Sequence, residues 1–246
     1  MSLLGLERAG SGPTLVWLHG FTQTKHSSYR FRSILAGSYE VLTIDLPGHG
    51  ENAGLSASLE DTADLLAEVL PKDPFILAGY SLGGRVALHF ALRHPRRLAH
   101  LVVLSATPGI ANHEERRARR ERDDELADRI EVIGTDAFLD EWLAQPMFKS
   151  VPVDPIERAA RSHDARGLAD SLRHAGTGTQ DVLVEPLRQL NTPTLILAGA
   201  NDEKFAHEAT RLGEAIARST RRLVPHASHA AHLEQPEGVA TLVATL

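Results

Sequence analysis

The sequence contains no cysteine among its 246 residues. That excludes a disulfide framework and any thiol chemistry. It also lacks a basic excess: Lys and Arg number 26 against 32 Asp and Glu, for a net charge of −6. Nucleic-acid binders carry the opposite balance, so a nucleic-acid partner is excluded on global grounds. No apolar run approaches 18 residues, so no segment is expected to span a membrane. Met1–Arg8 has no basic stretch followed by a long apolar one, so no signal peptide is expected and the cytoplasm is the expected location. The 13 histidines include no helix-spaced ligand set such as His-Glu-x-x-His. Neither a metal nor any other cofactor is therefore expected, and a monomer is the working assumption.

What is present is ordinary globular material. Hydrophobic residues make up 42% and charged residues 24%, enough for one large packed core. Thr14–Leu18, Val41–Ile44, Phe75–Ala78, Leu101–Leu104 and Thr194–Leu197 are short apolar runs rich in branched residues. Runs without polar alternation predict parallel strands covered on both faces. Helical patterns lie between them. Ser58 precedes one as an N-cap, with Leu59, Ala63, Leu66 and Leu70 at helical spacing. Another runs from Leu82 to Arg93 and stops before Pro95. Strand–helix alternation predicts a doubly wound, mostly parallel α/β fold. It breaks after Gly109. From about Ala111 to Glu185 the pattern is helical only, so a core of 1–108 and 186–246 is expected to carry a helical cap over 109–185. The cap would lie over the C-terminal strand edge, where open α/β sheets bind ligands.

Gly79-Tyr80-Ser81-Leu82-Gly83 joins a predicted strand directly to a predicted helix. A turn that tight requires small residues at both ends and lifts the serine hydroxyl clear of the sheet. A serine hydroxyl needs a base and an orienting acid, in the chain order serine, acid, histidine. Asp202 follows the strand Thr194–Leu197, and His229 follows a short strand Arg222–Val224. Glu203 is the rival acid, and His226 and His232 are the rival bases. His232 opens His-Leu-Glu-Gln-Pro236 and is expected to face solvent. Ser162-His163-Asp164 cannot form the relay, because residues adjacent in sequence do not meet in the required geometry. After the first strong strand, Leu18-His19-Gly20-Phe21 offers the Phe21 N–H as one half of an oxyanion hole, and Leu82 offers the other. Asp45-Leu-Pro-Gly-His-Gly50 reads as a structural turn, since its acid precedes the serine.

Together these segments resemble the α/β-hydrolase superfamily over nearly the whole chain. Further segments resemble one family within it, the 2-succinyl-6-hydroxy-2,4-cyclohexadiene-1-carboxylate synthases of menaquinone biosynthesis. They are Glu114–Asp123, Phe138-x-x-x-Trp142-x-x-Gln145-Pro-x-Phe148, Gly176–Gln180, Asp202-Glu-Lys-Phe205 and His229-x-x-His232-Leu-Glu-Gln-Pro236. The resemblance implies a carbon–oxygen lyase. It would eliminate pyruvate from 2-succinyl-5-enolpyruvyl-6-hydroxy-3-cyclohexene-1-carboxylate, with Ser81 as base, His229 activating it and Asp202 orienting His229. It also implies substrate contacts from Tyr80, Arg85, Arg119, Trp142 and Arg161, with Arg116 or Arg120 as alternatives to Arg119. His226-Ala-Ser stands before His229 where the family commonly has Gly-Ala-Gly. Thr22-Gln-Thr-Lys25 replaces the more frequent small residues and is expected to shape the mouth of the site.

The residues themselves support an anionic small-molecule partner. Arg85 lies four positions after Ser81, so both can face one cleft. Arginine binds carboxylates bidentately while staying charged, which suits a tricarboxylate better than a neutral ester. The other arginines of 114–129 read as a solvated helical face with Asp123, Asp124 and Glu125 as partners. A carbon–carbon bond hydrolase or carboxylesterase on the same scaffold is the competing enzyme. A binding module without chemistry is disfavoured, because all three relay positions are filled.

Overall fold

The computed structural model describes residues 5–246, so the first four residues of the Met1–Arg8 segment lie outside the described residues. Seven strands form one sheet in the order β1-β3-β2-β4-β5-β6-β7. They are β1 (Glu7–Ala9), β2 (Thr14–Leu18), β3 (Glu40–Thr43), β4 (Phe75–Tyr80), β5 (Leu98–Leu104), β6 (Thr194–Gly199) and β7 (Ser219–Val224). Only β1 runs antiparallel, against β3.

The continuous apolar strands are explained by two covered faces. Val16, Leu18, Leu77, Leu101, Val103 and Ile196 point into one core, with α2 (Leu59–Val69), α3 (Leu82–Arg93), α8 (Val184–Leu187) and α9 (Glu203–Ala215). Their strand neighbours Leu15, Trp17, Ile76, Val102 and Leu195 point into the other, with α1 (Tyr29–Leu35), α10 (Ala231–Glu234) and α11 (Pro236–Val243). Ser58 caps α2 as its sequence predicts, its Oγ accepting the Asp61 N–H at 3.0 Å. Such a cap is worth about 1 kcal/mol.

The edge strands depart from the sequence reading. β1 was not foreseen, and β7 begins at Ser219, three residues before the predicted Arg222. Both are mostly exposed, so neither carries an apolar signal. Arg221 and Arg222 on β7 leave the free edge charged, which discourages pairing with another chain.

Between β5 and β6 the structure is helical: α4 (His113–Ile133), α5 (Thr135–Leu143), α6 (Pro155–Ala159) and α7 (Ala165–Ala175). Asn112 caps α4, accepting from the Glu114 and Glu115 amides. Gly134, at φ +77°, separates α4 from α5. Ala127, Ile130, Phe138, Leu168, Ala169 and Leu172 form a small apolar cluster of their own. The chain passes from β2 to β3 on one side, then returns across β2 to β4 on the other. The C-terminal ends of β2 and β4 therefore flank a topological switch point, the place where such sheets open a crevice.

Candidate active site

Ser81 sits at this crevice, between β4 and α3. A side-chain carbon on Gly79 would lie 2.2 Å from the Gly83 carbonyl oxygen, and one on Gly83 would lie 2.3 Å from that of Leu18. Only glycine fits either place. Ser81 itself adopts φ +50°, ψ −105°, a conformation that non-glycine residues rarely accept. The result is a hydroxyl held above the sheet at a helix N-terminus.

Three strand-end loops bring the relay together. His229 Nε2 lies 3.2 Å from Ser81 Oγ, and His229 Nδ1 lies 3.1 Å from Asp202 Oδ2. The Asp202 carboxylate fixes the tautomer, because Nδ1–H must donate to it, leaving Nε2 to accept from the serine. Asp202 Oδ1 is anchored by the Phe205 N–H at 3.1 Å. Burial pushes the His229 pKa below its ordinary value, partly offset by Asp202. Burial opposes ionisation of Asp202, but the hydrogen bond and charge of His229 hold its carboxyl below the usual range. A neutral imidazole beside a carboxylate is the state that can take a proton from Ser81. Glu203 and His226 are exposed and make no contact with this relay. In the Ser162–Asp164 trio, Asp164 caps α7 instead.

The two amides expected to form an oxyanion hole are set apart by their neighbours. Gly20 N–H donates to Gln23 Oε1 at 2.9 Å and Thr22 N–H to His49 Nε2 at 3.3 Å, leaving Phe21 between them. Ser81 N–H donates to the Leu104 carbonyl and Gly83 N–H to that of His19, leaving Leu82 between them. The Phe21 and Leu82 amides have no protein acceptor among the described residues. His49 must stay neutral to accept from Thr22. Burial does this, lowering its pKa to about 3.

A cavity of about 480 Å³ opens above Ser81, lined among others by Phe21, Leu82, Arg85, Arg119, Trp142 and His229. A second, much smaller cavity that Ser81 also lines holds Tyr80, Trp142 and Arg161. Arg85 is 8% exposed and Arg161 7%, and neither has a carboxylate within ion-pair distance among the described residues. Arg85 donates to the Ala175 carbonyl at 2.7 Å, and Arg161 to Thr22 Oγ1 at 2.5 Å. Burial lowers the Arg85 pKa to about 10, which leaves it cationic at neutral pH, and lowers that of Arg161 in the same direction. Arg119 faces the larger cavity while donating to Asp123 at 2.8 Å; Arg116 and Arg120 do not line it. Sequence reasoning missed Arg122, Gln145 and Lys204, which share the same wall. Lys204 stands two residues from Asp202, a proximity that could have flagged it.

Two expectations are corrected. His232 is fully buried and lies 4.3 Å ring to ring from Tyr80, with Gln23 Nε2 3.4 Å from its Nε2. It occupies a one-turn helix, too short for periodicity to reveal which face points inward. Of Thr22–Lys25, all buried, none lines the larger cavity and only Gln23 lines the smaller one. Lys25 pairs with Glu51 at 2.5 Å, and its N–H donates to Asp45, which ties the loop down.

The alpha/beta hydrolase family profile matches residues 15–242. A 2-succinyl-6-hydroxy-2,4-cyclohexadiene-1-carboxylate synthase of Enterobacter sp. (strain 638) is 32% identical, over 100% of this chain and 96% of its own length. The structure of MenH from S. aureus superposes with a TM-score of 0.91 at 30% identity, covering 100% of this chain and 97% of that one. A thermophilic esterase from Thermogutta terrifontis, with malate bound, gives 0.81 at 25% identity, covering 98% and 91%.

Proposed function

The chain belongs to the alpha/beta hydrolase family and, within it, to the 2-succinyl-6-hydroxy-2,4-cyclohexadiene-1-carboxylate synthases, and we infer that it is the pyruvate-eliminating lyase of menaquinone biosynthesis. One observation carries the choice of lyase over esterase. Arg85 and Arg161 are buried without an acid partner among the described residues, and each lines a cavity that Ser81 also lines. Uncompensated buried charge is costly, and a substrate with several carboxylates supplies the missing counter-charge. A small neutral ester does not.

The chemistry follows from the substrate. Its ring proton at C2 is acidic because it is alpha to the succinyl ketone. His229 takes the proton of Ser81 Oγ, and Oγ takes the C2 proton. The electron pair left on C2 delocalises onto the ketone oxygen, where the Phe21 and Leu82 amides donate to it. As it returns, C2=C3 forms, the C3=C4 pair moves to C4=C5, and the C5–O bond breaks. Pyruvate departs as its enolate and takes a proton from the His229 imidazolium. Tyr80, Trp142 and Arg119 complete the substrate contacts. Residues 109–185 act as a cap on a core of 1–108 and 186–246 and exclude water from the carbanion. No helix among the described residues is long and apolar enough to cross a membrane. We place the enzyme's work in the cytoplasm, on a small anionic substrate.

The test compares pyruvate release from the enolpyruvyl substrate with hydrolysis of a nitrophenyl ester. Pyruvate release should dominate. Replacing Arg85 or Arg161 by lysine, which keeps the charge but loses the planar fork, should lower kcat/KM for the tricarboxylate by about tenfold. Efficient ester turnover with no pyruvate would move the esterase reading ahead.

A further inference from the structure

The larger cavity has a neighbour. An outer cavity of about 610 Å³ lies between the N-terminal half of α4 and α9, and Arg119, Arg122 and Lys204 line both. The inner cavity carries four Lys or Arg side chains against one carboxylate, Asp123, which is committed to Arg119. The outer one adds Arg211 on the basic side and Glu115 and Glu208 on the acidic side. Glu208 is already used: it accepts from Thr107 Oγ1 at 2.6 Å and from Arg211 at 2.8 Å.

Arg122 and Lys204 are the unbalanced members. Neither makes an ion pair among the described residues; Lys204 faces only the Phe205 ring, 5.3 Å from its centre. Burial lowers the Lys204 pKa, and the Arg119 charge lowers it further, with Arg122 adding in the same direction. Asp202 and Glu208 do not cancel this. Arg122 and Lys204 are exposed, yet with Arg119 they converge on the rim shared by the two cavities.

We propose that Arg122 and Lys204 form a carboxylate-binding threshold between the two cavities, which captures the terminal carboxylate of the succinyl arm and holds it while the ring sits at Ser81. The inference rests on the tricarboxylate reading above and extends it. Arg85 and Arg161 are buried, each in a cavity that Ser81 also lines, and Arg119 is partly neutralised by Asp123. A flexible arm extending outward meets Arg122 and Lys204 next. The same pair would attract the substrate from the outer cavity, so the approach rate should depend on salt.

The experiment uses Lys204→Met, Arg122→Met and the double variant, with thermal melts to establish folding. Steady-state pyruvate release should show KM raised about tenfold in each single variant, with kcat within about twofold of wild type. The dependence of kcat/KM on NaCl should flatten in the double variant. Calorimetric titration of tricarballylate into Ser81→Ala protein should give weaker binding once Lys204→Met is added, and Lys204→Arg should recover most of it. A double variant with unchanged KM and unchanged tricarballylate affinity overturns the proposal. So does a fall in kcat at constant KM, which would move Lys204 into the chemical step. A wild-type protein that releases no pyruvate would instead sink the lyase reading, and the titration would still decide whether these cations bind carboxylates.

Discussion

Ser81 is held in a conformation that costs roughly 1–3 kcal/mol for a residue with a side chain. At Ser81 the protein bears that cost where the hydroxyl meets His229. Ser81→Ala and His229→Ala should each lower kcat for pyruvate release by several decades while leaving the melting temperature nearly unchanged, because residues acting as a unit fail together. Single-turnover pyruvate release beside thermal melts checks this; near-wild-type turnover in either variant would remove Ser81 from the role of base. The protonation state gives a second prediction. Burial lowers the His229 pKa, so the imidazole stays neutral down to a pH below 6.5. The kcat/KM profile should therefore be flat at neutral pH and fall on the acid side, with a midpoint under 6.5. A midpoint above 7 would mean that the Asp202 charge outweighs burial.

Among the elements, α4 is the most exposed to failure, since few of its 21 residues are buried and its apolar cluster is small. Its N-cap matters accordingly. Asn112→Ala removes an acceptor shared by two amides and should cost about 1 kcal/mol. The effect should appear as faster amide exchange over the first turns of α4, where Arg119 and Arg122 sit; unchanged exchange would show that contacts with α7 alone hold the helix. Legibility in the sequence also varied by element. β2 to β6 were readable because both faces are buried, which leaves uninterrupted apolar runs. β1 and most of β7 were not, because an edge strand needs no apolar residues to pair. Ser81, Asp202 and His229 could be placed near one another because each follows a strand that ends at the same sheet edge. Arg122 could not, since on a highly charged helix no pattern separates a side chain facing a cavity from one facing water; Lys204 was legible only through its closeness to Asp202. His232 was misread for the reason already given: one turn of helix has no period.

At the scale of the molecule, burial keeps several histidines neutral. It lowers the His19 pKa to about 4 and that of His49 to about 3, and it pushes His232 well below its ordinary value and His229 below it. The unfolded chain regains pKa values near 6.5 and so binds more protons than the folded protein below that pH. Stability is therefore fully present above about pH 6.5 and is lost as pH falls toward the folded-state values. Each such histidine contributes about 1.4 kcal/mol per pH unit in that window. Urea midpoints measured at pH 7, 6 and 5 should drop progressively; a flat series would mean that these rings take up protons without unfolding. The order of strands in the sheet has one more consequence, in time. His229 follows the last strand of the sheet and lies 148 positions after Ser81. At a synthesis rate of about 5–20 residues per second, a nascent chain carries its serine for roughly 7–30 s before the histidine exists. Throughout that interval the unfinished polypeptide is chemically silent on the ribosome.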